Sequence, residues 1–168
     1  SAEDMSATDR AVQNRRLRRL YGACVDLERS LVVEAMPTAA GRIDARRIST
    51  MVEEIYALGI RPDWWKLPAP DDVDGFDAVS RIVEAHDPHC CGILILGYDA
   101  SLDALRAAFR ASAGWRHFNG FAVGRAIFWD AAVAWFAGNL GDDGVIEEVS
   151  TRFASLVEAW QSRAEVAQ

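Results

Sequence analysis

The run Cys91-Gly-Ile-Leu-Ile-Leu-Gly97 limits the possible folds more than any other stretch of the chain. It is short, almost wholly apolar and edged by glycines. A strand with one wet face alternates apolar and polar residues; this run does not, so both of its faces need cover. A parallel sheet with helical crossovers supplies that cover. Three more stretches have strand length. Ser30-Leu-Val-Val-Glu-Ala-Met36 is closed by Pro37, Arg61-Pro-Asp-Trp-Trp-Lys-Leu-Pro68 is bracketed by prolines, and Phe118 to Gly124 runs into Arg125.

Helical patterns separate them. A first helix over 10–29 carries Val12, Leu17, Leu20, Tyr21, Cys24 and Leu27 as an approximate stripe. Beside it Arg15, Arg16, Arg18 and Arg19 form a basic cluster, read as a solvated face. Residues 37–43 read as a loop. Asp44 can cap a helix with Ile48, Met51, Val52, Ile55 and Leu58 on one face, which Gly59 can stop. Further helices are expected over 73–86, from Ser101 or Asp99 to Ala113, from Asp130 to Gly138, and from Asp142 or Asp143 to Ala164.

The expected fold class is therefore α/β, one domain of parallel β/α units over 10–164 behind a flexible N-terminus at 1–9. Four such units are either a small open sheet or half of a TIM-type barrel. A half barrel exposes two strand edges. A second copy can close it across a two-fold axis, or a complementary half-barrel chain can supply the missing strands.

Composition narrows the partners. A net charge of -7 over 168 residues argues against a general nucleic-acid binder. No apolar run approaches the ~20 residues of a membrane span, so no membrane partner is expected. Three cysteines, two of them adjacent, have no zinc-ligand spacing and suit a reducing compartment; the expected location is the cytoplasm.

In a β/α fold, chemistry gathers at the C-terminal ends of the strands. Glu34, Lys66, Gly97 and the pair Gly124-Arg125 all fall there. Alternation puts Trp64 and Lys66 on one face of their strand, with Asp63, Trp65 and Leu67 on the other. Lys66 is then either a strand-end lysine reaching solvent over Trp64, or an amine whose partial burial makes it a nucleophile. Glu34 is either an acid/base beside it or a salt-bridge partner. Gly124 allows close approach of a ligand to the backbone, and Arg125 can grip a phosphate or carboxylate. A helix beginning near Phe128 or Asp130 would add N–H donors, and Gly97 the other side of the cup. Trp64, Tyr98 and Asp99 are candidate pocket-lining residues. His86 and His89 flank Asp87-Pro88 and His117 precedes the fourth strand, all at the end opposite the expected site; no metal site is expected there. Trp129 and Trp135 can cover an interface.

Three stretches carry a family resemblance: Leu58-Gly-Ile-Arg-Pro-Asp-Trp-Trp-Lys-Leu-Pro68, Asp87-Pro-His-Cys-Cys-Gly-Ile-Leu-Ile-Leu-Gly97 and Gly120-Phe-Ala-Val-Gly-Arg-Ala-Ile-Phe128. They are similar to an aldolase-like β/α-barrel domain fused behind 5-dehydro-2-deoxygluconokinase in inositol catabolism and related to class I tagatose-bisphosphate aldolases. The resemblance covers residues 12–162 and corresponds to the C-terminal half of that domain, barrel strands five to eight. It implies that Lys66, in Asp63-Trp-Trp-Lys66, is the Schiff-base lysine, and that Glu34 is the strand-five glutamate. It assigns Gly97, Gly124 and Arg125 to phosphate binding. This chain departs from the relatives in having Leu67-Pro68 where they carry an acidic residue, and in lacking strands one to four.

The expected activity is that of a Schiff-base carbon–carbon lyase on a phosphorylated ketose or keto-sugar acid such as 6-phospho-5-dehydro-2-deoxygluconate. Such chemistry uses neither metal nor organic cofactor. The alternatives are a non-catalytic sugar-phosphate binding module and a half-barrel assembly subunit. A homo-oligomer is the expected state.

Overall fold

The parallel sheet is present, and its strands follow chain order. A computed structural model describes residues 6–36, 44–97 and 100–164. Strands β1 (Val32–Glu34), β2 (Trp64–Pro68), β3 (Gly92–Leu96) and β4 (Phe118–Ala122) form one sheet ordered β1-β2-β3-β4. Helices α1 (Ala7–Asp26), α2 (Ala45–Ala57), α3 (Val73–His86), α4 (Leu102–Ala111), α5 (Arg125–Phe136) and α6 (Asp142–Gln161) alternate with the strands or flank them. The sheet is all-parallel, and this alternation is that of half a TIM-type barrel. The loop read at 37–43 and the candidates Tyr98 and Asp99 lie outside the described residues.

The chain divides into two compact units, Ser1–Ile95 with Trp115–Phe121, and Leu96–Gly114 with Ala122–Gln168. In the first unit, β1 and β2 pair in the register Val32↔Trp64, Val33↔Trp65, Glu34↔Lys66. Val33, Trp65, Leu67, Ile93 and Ile95 are buried, as are Ile48, Val52, Phe76, Val79 and Val83 on α2 and α3. Full burial of such a side chain contributes roughly 1.5–3 kcal/mol. The sequence dictates the helix starts: Asp44 accepts from the Arg47 N–H at 2.8 Å and Asp72 from the Gly75 N–H at 2.7 Å.

Trp65 locks β2 onto its helices. Its indole Nε1 donates to the Tyr56 hydroxyl at 2.9 Å, edge-on to that ring with centroids 5.4 Å apart. Tyr56 in turn stacks on His86 at 5.0 Å, and burial pushes its phenol pKa up. The indole N–H is thereby satisfied inside the core, where an orphan donor costs about 1–3 kcal/mol.

The second unit is helical. Phe109 of α4 meets Trp160 of α6 edge-on at 5.2 Å, and Arg106 donates to the Ser155 hydroxyl at 3.2 Å. Arg152 of α6 reaches Asp130 of α5 at 2.9 Å. Leu105, Ile127, Ala131 and Leu156 are buried there.

Three boundaries differ from expectation. The first helix begins at Ala7, because Ser6 accepts from the Asp9 N–H at 3.1 Å and caps it. The first strand shrinks to Val32–Glu34, an edge strand that among the described residues pairs with β2 alone. The helix expected to begin near Phe128 or Asp130 begins at Arg125. Gly124 is its N-cap and makes no side-chain cap bond. No acidic residue marks that start, which is why the search for one placed it too late.

Candidate functional site

The register of β1 and β2 makes Glu34 and Lys66 cross-strand partners, and cross-strand partners share a face. Trp65 and Leu67 are turned into the core, so alternation turns Trp64 and Lys66 to the other face. There Lys66 Nζ donates to Glu34 Oε2 at 2.7 Å. The two side chains keep 28% and 44% of their area exposed, so water and a ligand can reach them. At that exposure an ion pair stabilises the fold by only about 0–1 kcal/mol. Its chemistry matters more. A carboxylate this close to an ammonium can take the proton that an amine must lose before attacking a carbonyl. Of the two roles weighed for Glu34, the structure shows the salt-bridge partner.

Asp63 fixes this arrangement from behind. Its carboxylate accepts from the Leu31 N–H at 2.7 Å, tying the start of β1 to the start of β2. Its carbonyl accepts from the Cys91 N–H at 2.8 Å, at the start of β3.

The other candidates belong to the second unit. Gly97, just after β3, sits tightly against the residue before Gly124: a Cβ on Gly97 would lie 3.2 Å from Val123 Cγ1. So Gly97 and the Val123-Gly124-Arg125 turn are neighbours, and glycine suits that crowding. A Cβ on Gly124 would come within 3.3 Å of the Phe128 ring. Arg125 is exposed and occupies the first position of α5, beside N–H groups that no cap side chain engages. Such a helix start favours an anion.

Of the histidines, His86 stacks on Tyr56, and buried His117 meets Glu84 at 2.8 Å through Nε2. Arg116 reaches the same carboxylate at 3.2 Å. These contacts join β4 to α3 and give both rings structural partners. Among the described residues, no group of three or more His, Cys, Asp or Glu side chains gathers as a metal site. Among them, too, no helix is long and apolar enough to cross a membrane.

A family model described as an uncharacterized protein conserved in bacteria (DUF2090) matches residues 2–164. No curated protein matches the chain.

Proposed function

The chain belongs to the DUF2090 family, and from that premise we propose that it is a Schiff-base, aldolase-like carbon–carbon lyase acting on a phosphorylated ketose or keto-sugar acid. The observation that supports this reading is the 2.7 Å contact between Lys66 and Glu34 on the accessible face of the sheet. The motif resemblance supports the substrate class, with 6-phospho-5-dehydro-2-deoxygluconate as the first compound to test.

The steps use the pair directly. Glu34 accepts a proton from Lys66, and the freed amine adds to the substrate carbonyl carbon. Loss of water leaves an iminium. Glu34 having returned its proton to the departing water, the nitrogen takes up the electron pair released when the bond between the α and β carbons breaks; the β-hydroxyl proton passes to Glu34, giving an enamine and an aldehyde fragment. Protonation of the enamine carbon and addition of water then release the second fragment and return Lys66. Gly97, Gly124 and Arg125 are assigned to the substrate phosphate, whose binding supplies remote orientation energy.

Borohydride reduction during incubation with the substrate tests the proposal. The expected result is a covalent adduct on the peptide containing Lys66, absent in Lys66→Ala. An adduct that persists in Lys66→Ala rejects the assignment. Arg125-dependent affinity without any adduct would instead fit a non-catalytic sugar-phosphate binding module, a reading favoured by the exposed Arg125 at the start of α5.

A further inference from the structure

Helix α5 is apolar on more than one side. Ile127 and Ala131 are buried, one turn apart. On another side Trp129, Val133 and Phe136 follow at helical spacing, and they remain 56%, 52% and 81% exposed. Phe128 and Trp135 flank that stripe, and Ile146 on α6 is 64% exposed. A helix that is apolar all round needs cover on more than one face. With about 150–250 Å² per aromatic side chain, these exposed fractions leave on the order of 700 Å² of apolar surface in water. That exceeds the roughly 300–600 Å² of the largest patch on a typical monomer. It approaches the ~800 Å² per partner of a standard protein interface.

Trp135 and Arg152, beside the patch, already have partners within the chain. Trp135 Nε1 donates to Asp142 Oδ1 at 2.7 Å, so its ring can be covered without stranding a donor. Arg152 is held by Asp130 and Glu148. The exposed rim beside Ile146 is acidic: Asp142, Asp143 and Glu147. Acidic residues repel an anionic bilayer, which argues against a lipid surface as the occupant.

The same chain carries the complementary surface. Helix α1 buries none of its residues. It exposes Arg15, Arg16 and Arg19 together with Leu20, which is 52% exposed, and Val25, which is 59% exposed. Its exposed arginines form a basic face, matching the acidic rim of the patch.

We propose that the α5–α6 apolar face is a homodimer interface, covered by the basic helix α1 of a second copy of this chain. Two such contacts, exchanged across a two-fold axis, satisfy both helices at once. Arg16 and Leu20 of α1 line the same cavity as Glu34, so the test below uses Arg15 and Arg19, which do not line it.

Light scattering coupled to size exclusion tests it on the full chain. The expected species has twice the 18.5 kDa chain mass. Phe136→Glu and Trp129→Glu alter side chains that are exposed in a single copy, so circular dichroism should be retained, while the dimer dissociation constant rises about a hundredfold. The double reversal Arg15→Glu with Arg19→Glu should weaken the dimer about tenfold, more at low salt than at high salt. Adding Asp143→Arg and Glu147→Arg to that background should restore it. A wild-type chain that stays monomeric at about 100 µM, far above the dissociation constants of specific interfaces, overturns the proposal. So does a dimer insensitive to Phe136→Glu, or one insensitive to the arginine reversals. Should a glutamate variant lose its folded spectrum, the charge reversal and its rescue decide alone.

Discussion

Two neighbouring residues on one strand meet opposite fates. Trp65 is 0% exposed, edge-on to Tyr56 and bonded to its hydroxyl. Lys66, the next residue, keeps its ammonium at an accessible carboxylate. The alternation of strand side chains is the whole cause. The contrast teaches that the anchoring residue and the proposed reactive one stand a single step apart along the backbone. The tryptophan, not the ion pair, anchors β2, which leaves the lysine available for the proposed chemistry. Substitutions on the two faces should therefore act on different observables.

The largest effect on stability is expected from Trp65→Ala. It empties a fully buried site and strands the Tyr56 hydroxyl, and such truncations cost about 3–5 kcal/mol. Total stabilities are only about 5–15 kcal/mol, so the midpoint of chemical denaturation should fall steeply. A change below about 1 kcal/mol would mean that β2 is not anchored by this ring, and the contrast between the two faces would collapse.

On the opposite face Lys66→Met should change stability by no more than about 1 kcal/mol, because both members of the pair it removes keep contact with water. Glu34→Gln should behave alike. Equilibrium unfolding of both variants checks this. A loss as large as that expected for Trp65→Ala would show that the pair is structural, which would remove the physical reason for giving it a chemical role.

The sequence showed most of the fold because its strong signals are local. The cap at Asp44, and Ser101 of the two candidates for its helix, set helix starts that tertiary packing left unchanged. Alternation alone put Lys66 and Trp65 on opposite faces. What stayed hidden depends on non-local geometry. The pairing of Glu34 with Lys66 was one of two readings until the register placed them opposite each other. The start of α5 was missed because Gly124 has no side chain with which to announce a cap. The Tyr56–Trp65 bond and the Glu84–His117 contact join residues whose meeting no spacing rule predicts. For Trp64 the structure adds only that it is half-buried on the face of Lys66.

The same one-residue contrast recurs, more weakly, just before β3. Cys90 is partly buried, its sulfur 3.6 Å from the Asp63 carbonyl oxygen, whereas Cys91 is exposed. Burial, the largest cause, pushes the Cys90 thiol up from 9.0 to about 11. Because the thiolate is the nucleophile, Cys90 should resist alkylation at pH 8 while Cys91 reacts, and peptide mass spectrometry after a short pulse of iodoacetamide would separate the two. The linked effect on stability has a definite sign. Below pH 9.0 the thiol is protonated in both folded and unfolded chains, so its contribution is fully present. As the pH climbs from 9.0 toward about 11, the unfolded chain gives up this proton first, and that contribution to folding is lost. Equal alkylation of both cysteines at pH 8 would show that the segment leading into β3 opens readily. The packing that sorts neighbouring side chains in β2 would then not extend to the next strand.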